Sequence, residues 1–285
     1  MSLGLLAIVY QVITGASLAL HRFGPGFVGR QQWSPAANQF GALTLLYGTL
    51  VTSVFGVAIA AVLGVAIGLF LSLMAPRRVA AVVGPLVEML AAIPSVVLGL
   101  VGIYLIAPFT LTNIEAPLHR AFGFIPLFGS PGTVGNSDFT ASLVLVIMVV
   151  PIIAALTRDI FLTVPRELRD GAEALGATRW EMIRGVVLST TPSGVVVACI
   201  LGFGRAIGEA IAVTQVIGNI TQVSANLFAR GDTLASLIAN QFLTPVSALH
   251  TASMFYLGLV LFTLELITIS LARYVSHNFG RRQWA

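Results

Sequence analysis

Long apolar stretches separated by short polar ones set the pattern of this chain. Six apolar segments can be traced, at 3–20, 43–74, 82–107, 141–156, 193–217 and 252–272. A helix satisfies its own backbone hydrogen bonds in lipid, so each segment is predicted to be a helix that spans a membrane. Polar or Gly/Pro-rich loops are predicted between them, notably at 110–138 and 219–250. No Lys or Arg precedes the first segment, which favours a membrane helix over a signal peptide.

Composition supports the same class of protein. Hydrophobic residues make up 57% of the 285 residues and charged residues only 9%, against about 25% charged in soluble domains. The mean hydropathy is +0.95. The net charge is +4, but no basic cluster lies outside short loops, which argues against nucleic-acid binding. Cys199 is the single cysteine and lies inside an apolar segment, where it is interpreted as a small packing residue.

The arginines predict an orientation. With six spans starting inside, ten arginines fall on one side and four on the other, and Arg205 lies within the membrane. The positive-inside rule makes the richer side cytoplasmic, with both termini and the polar stretch 165–184 on that side. The predicted organisation is a first helix with an external loop (1–41), a membrane-embedded core (42–275) and a cytoplasmic tail (276–285).

Motifs for catalysis or metal binding are not found in the sequence. A Walker A loop needs a Lys, and the chain has none. HExxH, CxxC and GxSxG do not occur, and the four His are scattered. Gly202, Gly204 and Gly208 have the wrong spacing for a dinucleotide fingerprint and favour close helix packing instead, as do Gly56, Gly64 and Gly68. The chain is therefore predicted not to be an enzyme and to hold no cofactor or metal of its own.

The stretch 165–184 (PRELRDGAEALGATRWEMIR) is the most charged internal segment, with four arginines and four carboxylates. Pro165 can open a helix, Glu167 and Asp170 suit its first turn, and Gly176 is predicted to break it before a second helix near Thr178. This arrangement is typical of a docking surface for a soluble partner. A solvated loop between helices is the alternative.

The same stretch resembles the coupling loop of bacterial ABC importer permeases, which carry E-A-A, three residues, G, nine residues and I-x-L-P. Asp and Gly stand here in place of Glu and the first Ala, and Ser in place of the final Pro. The resemblance implies that the coupling residues are Glu167, Asp170, Gly171, Ala172, Gly176, Ala177, Arg179 and Trp180. It also implies a type-1 ABC importer permease, an all-α bundle of six transmembrane helices.

Three further stretches narrow the resemblance. Residues 40–50, 88–100 (EMLAAIPSVVLGL) and above all 204–219 (GRAIGEAIAVTQVIGN) are similar to the C-type permease subunits of phosphate-specific ABC importers. The resemblance covers residues 1–275. It implies a homologous A-type permease subunit, two ATPase subunits that use ATP and magnesium, an extracytoplasmic phosphate-binding protein, and a bacterial inner membrane. Permeation of molybdate or sulfate, or an ATP-independent channel or scaffold, are the alternatives.

Arg205 and Glu209 are the leading candidates for the substrate path. A charged side chain in a membrane helix is costly and should face a cavity or a partner. A spacing of four would place both on one helical face, where they either pair structurally or meet the substrate. A guanidinium can bind two phosphate oxygens. Glu209 is expected to position Arg205 and to accept the proton of hydrogen phosphate, which sulfate does not carry.

Glu88 and Glu265 are secondary candidates. Glu88, near the cytoplasmic start of the third segment, is expected to be solvated, to cap a helix or to pair with an Arg, so a structural role is favoured. Glu265 lies deeper and either serves structure or meets a partner subunit. Pro94 and Pro151 are expected to bend their helices. The predicted mechanism is alternating access driven by partner ATPases through the loop 165–184.

Overall fold

The computed structural model describes residues 2–281, with side chains at residue 4 and at 6–277. This part of the chain is helical and contains no β-strand beyond an isolated bridge between Ser34 and Gln39. The helices are α1 (Ser2–Phe23), α2 (Leu43–Met74), α3 (Arg77–Leu90), α4 (Ser95–Phe122), α5 (Asp138–Leu162), α6 (Arg166–Ala174), α7 (Arg179–Thr190), α8 (Pro192–Ile207), α9 (Ile211–Val216), α10 (Leu234–Gln241) and α11 (Ala248–Arg281). Residues 282–285, the end of the predicted tail, lie outside the described residues.

Five of these helices are long and apolar enough to cross a membrane, namely α1, α2, α4, α5 and α11. The pair α7 and α8 passes the same test together but is bent by 72°. Counting that pair as one broken span gives six crossings within residues 2–281, which confirms the predicted all-α membrane bundle.

The third predicted segment, 82–107, is wrong as a single helix. The chain leaves the helix after Leu90, and Pro94 is the N-cap of α4 with an extended ψ of 133°. A proline disfavours helical backbone at the residue before it, so Pro94 starts a new helix where a bend was expected. The membrane-crossing part then runs to Phe122, and the predicted loop 110–138 shrinks to the residues after it.

Prolines inside α4 are accommodated by π-helical turns. The turns Gly102–Ile106 and Leu111–Glu115 close with hydrogen bonds from Ala107 to Gly102 and from Ala116 to Leu111. Pro108 and Pro117 follow directly, and neither can donate to the carbonyl four residues earlier. The wider turn removes the clash that a proline would otherwise cause. Pro151, in contrast, lies inside α5 without interrupting it.

The fifth predicted segment, 193–217, is also discontinuous. α8 ends at Ile207, Gly208 to Ala210 are not helical, and α9 begins at Ile211. The predicted outer loop 219–250 contains a short helix, α10. Thr233 caps α10 by accepting a hydrogen bond from the Ser236 N–H, and the Leu234 N–H donates to Thr49 Oγ1 at 3.0 Å. The loop is therefore folded, and its residues 231–237 are buried.

The described residues pack into two compact units. The first comprises Met1–Phe55, Pro94–Leu145 and Ile207–Leu266. Its core is aromatic: the ring of Phe27 stacks on Tyr256 with centroids 4.3 Å apart, and Phe40 stacks on His250 at 5.4 Å. The Tyr256 hydroxyl donates to the Gly24 carbonyl at 2.9 Å. These contacts hold the end of α1 against α11.

The second unit comprises Gly56–Ile93, Val146–Ala206 and Ile267–Ala285. Gly64 and Gly68 of α2 lie directly against Ile153 and Thr157 of α5, so that a side chain at either glycine would collide. Gly202 of α8 meets Ile153 in the same way. These contacts confirm the prediction of close helix packing for Gly64, Gly68 and Gly202, whereas Gly204 has ordinary van der Waals room and Gly208 lies outside the helix.

Candidate functional site

The polar stretch 165–184 folds as a helix, a glycine turn and a second helix, as predicted. Pro165 is the N-cap of α6, with Glu167 in the first turn. Gly176 adopts a φ of +88°, a left-handed conformation that a side chain disfavours, and α7 begins three residues later. The local sequence signals therefore placed both arms and the turn between them.

Thr178 and Glu181 form a reciprocal cap at the start of α7. The Glu181 N–H donates to Thr178 Oγ1 at 3.3 Å, and the Thr178 N–H donates to Glu181 Oε2 at 2.8 Å. The Thr178 hydroxyl also donates to Glu181 Oε2. The backbone hydrogen bond, followed by the hydroxyl one, lowers the pKa of the Glu181 carboxyl. The cap fixes the direction of the second arm.

Apolar side chains project from the tip of this loop while others anchor it. Leu175 is 92% and Trp180 59% exposed, whereas Met182 and Ile183 of α7 are buried with Phe161. An exposed large hydrophobic group beside charges is typical of an interaction surface. The remaining predicted coupling residues are exposed or half-buried along the two arms, at Glu167, Asp170, Gly171, Ala172, Ala177 and Arg179.

Arg205 occupies the last turn of α8, and its side chain is exposed. Glu209 falls after the end of α8, in the non-helical segment before α9. The expectation that a spacing of four places both on one helical face is wrong, because α8 ends at Ile207 between them. The glycine at 208 and the short helix that follows interrupt the regular geometry on which the expectation depended.

Glu209 has a structural contact that the sequence did not suggest. It is 4% exposed, and its Oε1 accepts a hydrogen bond from the Ala212 N–H at 3.3 Å. The first N–H groups of a helix have no partner within it, and a carboxylate there is favourable. Glu209 therefore stabilises the start of α9 whatever its role toward a substrate.

Glu88 pairs with an arginine, one of the three expected alternatives. Arg158 Nη1 donates to Glu88 Oε1 at 2.8 Å, and their side chains are 27% and 54% exposed. Glu265, by contrast, is half-buried in α11 and makes no hydrogen bond or ion pair with the side chains that the structure describes. The ion pair supports the structural role favoured for Glu88, and Glu265 keeps both of its predicted alternatives.

Three buried carboxylates, Glu115, Asp138 and Asp232, were missed by the sequence reasoning. Glu115 is fully buried in α4, where Ser137 Oγ donates to its Oε1 at 2.6 Å. Asp232, 2% exposed, accepts hydrogen bonds from the Ser236 hydroxyl and, at 2.9 Å, from the Thr233 N–H. All three lay in segments predicted to be outer loops. The apolar run that continues past Ala107 was the available signal for Glu115.

This architecture is that of a type-1 ABC importer permease. The chain superposes with a TM-score of 0.62 on a chain of a bacterial alginate ABC transporter solved in complex with an alginate pentasaccharide-bound periplasmic protein, covering 98% of this chain and 94% of that one at 13% identity. Identity at this level supports the fold alone.

Sequence comparisons specify the family. Residues 64–281 match the model of the binding-protein-dependent transport system inner membrane component. The phosphate transport system permease protein PstC of Mesorhizobium japonicum is 39% identical over 282 residues, covering 98% of this chain and 86% of that protein. The PstC of Pasteurella multocida is 39% identical over 284 residues, covering 98% and 88%. The chain belongs to this inner membrane component family and, within it, to the PstC permeases.

Proposed function

We propose that this chain is the permease subunit of an ATP-driven importer that carries inorganic phosphate across a bacterial inner membrane. The observation that carries the proposal is the 39% identity to two phosphate transport system permeases along 98% of the chain. Molybdate and sulfate permeation are the alternative outcomes of the test below.

The energy comes from separate chains in this proposal. Two ATPase subunits, which use ATP and magnesium, dock on the coupling loops of the two permease subunits. In this chain the loop is 165–184, which presents the exposed Leu175 and Trp180 beside two short helices. A homologous A-type permease completes the pathway, and an extracytoplasmic phosphate-binding protein delivers the anion. The arginine distribution supports cytoplasmic termini and a cytoplasmic loop.

Arg205 is the proposed contact for the anion. Its exposed guanidinium at the end of α8 offers a planar set of donors that matches two phosphate oxygens and is less strongly hydrated than an ammonium group. The break at Gly208 to Ala210 gives the chain a place to bend when the ATPases close. Movement of the loop 165–184 then changes the side to which the pathway opens.

Glu209 is proposed to tune this contact. Its carboxylate can accept the proton of hydrogen phosphate, whereas sulfate has no proton to donate at neutral pH. Because Glu209 is buried in the present conformation, it meets the substrate only after a rearrangement. Glu209→Gln is expected to lower the phosphate transport rate and the preference for phosphate over sulfate; an unchanged rate together with an unchanged preference would remove this role.

Uptake of labelled phosphate tests the function directly. The chain is expressed with its partner subunits in bacteria that lack their own phosphate importer, and phosphate, molybdate and sulfate are compared. We expect phosphate uptake, its loss in Arg205→Gln and partial retention in Arg205→Lys, with Arg120→Gln as the exposed-arginine control. Uptake of molybdate or sulfate in place of phosphate would establish the alternative substrate. Uptake that does not require an ATPase subunit would contradict the proposal of an ATP-driven importer.

A further inference from the structure

A polar cavity of about 470 Å³ lies beside the loop 165–184 within the second unit. Its wall is formed by the end of α2, the start of α3, one face of α6 and the start of α7. Four arginines from three of these helices line it, namely Arg77, Arg166, Arg169 and Arg179. The cavity therefore gathers side chains that are far apart in the sequence.

The charges in this cavity are not matched internally. Asp170 and Glu173 also line it. Four arginines against two carboxylates leave the lining with a net excess of two positive charges. Among the described residues that line the cavity, neither carboxylate comes within 4.0 Å of an arginine nitrogen. Nε of Arg169 is buried without a hydrogen-bond partner. A buried donor without an acceptor is costly, and an anion would supply the acceptor.

Membrane topology alone does not account for this arrangement. Arginines at a cytoplasmic membrane surface are expected on exposed positions, and Arg77, Arg166 and Arg179 are exposed, as are Arg78 and Arg184, which do not line the cavity. Arg169 differs from all of these because it is half-buried. The residues at 166, 169, 170 and 173 follow a helical spacing that puts them on one face of α6. That face turns toward Arg77 and Ser72, while Leu175 and Trp180 lie elsewhere on the loop.

We propose that this cavity binds a phosphate group, as free phosphate or as the headgroup of an anionic lipid. Several guanidiniums that converge from different helices are suited to the three or more oxygens of a phosphate group. A water molecule occupies about 30 Å³ in the liquid, so the cavity admits a phosphate group with part of its hydration. The binding site does not depend on which anion the chain transports.

Binding has a regulatory consequence that rests on the proposed function. A phosphate group held by Arg77 and by Arg166 and Arg169 ties α3 to the first arm of the coupling loop. Since that arm must move when the ATPases close, an occupied cavity is expected to slow ATP hydrolysis by the assembled complex. Accumulated phosphate or the surrounding lipid would then act on the loop directly.

Thermal stability of the complex tests the site. The full chain is purified with the subunits that accompany it, without a binding protein and with Arg205→Gln as background, so that the proposed pathway contact does not contribute. Inorganic phosphate is titrated at constant ionic strength against chloride. We expect phosphate to raise the melting temperature. The phosphate concentration that gives half of this rise should increase about tenfold or more in Arg169→Gln and stay unchanged in Arg78→Gln.

A second experiment distinguishes free phosphate from the headgroup of an anionic lipid as the source of the bound phosphate group. The same variants are reconstituted in phosphatidylcholine vesicles with and without phosphatidylglycerol. Stabilisation by phosphatidylglycerol that is lost in Arg169→Gln identifies the lipid, and stabilisation by free phosphate alone identifies the ion; each supports the site. Arg169→Lys, which keeps the charge, controls for misfolding and should retain part of the effect. If neither phosphate nor phosphatidylglycerol stabilises the complex in a way that depends on Arg169, the proposed site is wrong. The uptake experiment tests the proposed function independently of this result.

Discussion

Arg158 of α5 donates a hydrogen bond of 2.8 Å to Glu88 of α3, seventy positions earlier in the chain. Gly84, one turn before Glu88, lies under the same guanidinium, because a side chain at this position would begin 3.1 Å from Arg158 Nη1. The absence of a side chain at Gly84 leaves room for the arginine to reach the glutamate. The pair ties an amphipathic helix to a membrane-spanning one.

Glu88→Gln and Gly84→Ala should therefore act on the same contact. We expect Glu88→Gln to lower the free energy of unfolding by about 1 kcal/mol or less, since both partners are partly exposed. Gly84→Ala loses the same contact but gains about 0.5–1 kcal/mol in helix propensity, so its net effect should be smaller. The double variant should cost less than the two single costs combined. Melting temperatures of the detergent-solubilised chain check this. Full additivity of the two effects would show that Gly84 does not support the pair.

Gly68→Ala should destabilise the second unit by overpacking. A methyl group there would overlap the Thr157 hydroxyl and come within 3.0 Å of the Ala154 carbonyl oxygen. Overpacking costs about 1–3 kcal/mol, against a gain of about 1 kcal/mol or less in helix propensity. Gly185→Ala, where no atom lies within 4 Å of the added carbon, is the control. A melting temperature that stays level in Gly68→Ala would contradict the close packing.

Asp232 should make the stability of the first unit depend on pH. Burial raises the pKa of Asp232 to about 6, against the opposing hydrogen bonds from Ser236 and Thr233. Because the pKa is raised on folding, the contribution to stability is complete below pH of about 3.8 and is lost as the pH rises through about 6. The loss amounts to up to about 3 kcal/mol.

Asp232→Asn should weaken that dependence. The amide oxygen can still accept both hydrogen bonds, so the variant is expected to fold, and its melting temperature should change less than that of the wild type between pH 5 and pH 8. Asp159→Asn, at an exposed carboxylate, serves as the control and should keep the slope of the wild type. A wild-type slope in Asp232→Asn would show that another group is responsible.

Thr178→Ala should loosen the second arm of the coupling loop. The hydroxyl caps α7 and holds Glu181, and loss of a cap of this kind is expected to speed amide exchange at 180–182 about fivefold. Acid should also speed this exchange. Because the pKa of Glu181 is lowered on folding, its contribution to the stability of the cap is present above pH of about 4.5 and is lost as the pH falls through the lowered pKa. Thr163→Ala, whose hydroxyl donates to the Ile160 carbonyl, is the control. Equal exchange rates in wild type and Thr178→Ala would contradict the cap.

The coupling loop could be predicted from the sequence because its signals are local. Pro165 opens a helix, Gly176 supplies the left-handed turn, and Thr178 with Glu181 has the spacing of a capping box. Each of these preferences operates within four residues and does not depend on the rest of the fold. The close packing at Gly64 and Gly68 was predicted from composition in the same way.

The breaks in the spans could not be predicted from apolarity. The apolar segments continue on both sides of Pro94 and Gly208, so hydropathy gives no sign of a break there. A residue that ends a helix can be as apolar as one that continues it. The hydrogen bond between Ser137 and Glu115 joins residues that tertiary packing brings together, and no local pattern predicts it. Asp232, in contrast, bonds to Thr233 and Ser236, within four residues, at the start of α10. Arg205 and Glu209 remain predicted substrate-path residues, without the shared helical face.

The two π-helical turns of α4 have a consequence for experiments that map which side of a helix faces lipid. Each turn inserts one residue into the winding, which rotates all later positions by about 100° relative to the earlier ones. A helical wheel drawn from Ser95 to Phe122 therefore misplaces the residues after Glu115 by about 200°. A cysteine accessibility scan of this segment should show two abrupt changes of phase, and drawing three separate wheels should restore a single lipid-facing stripe.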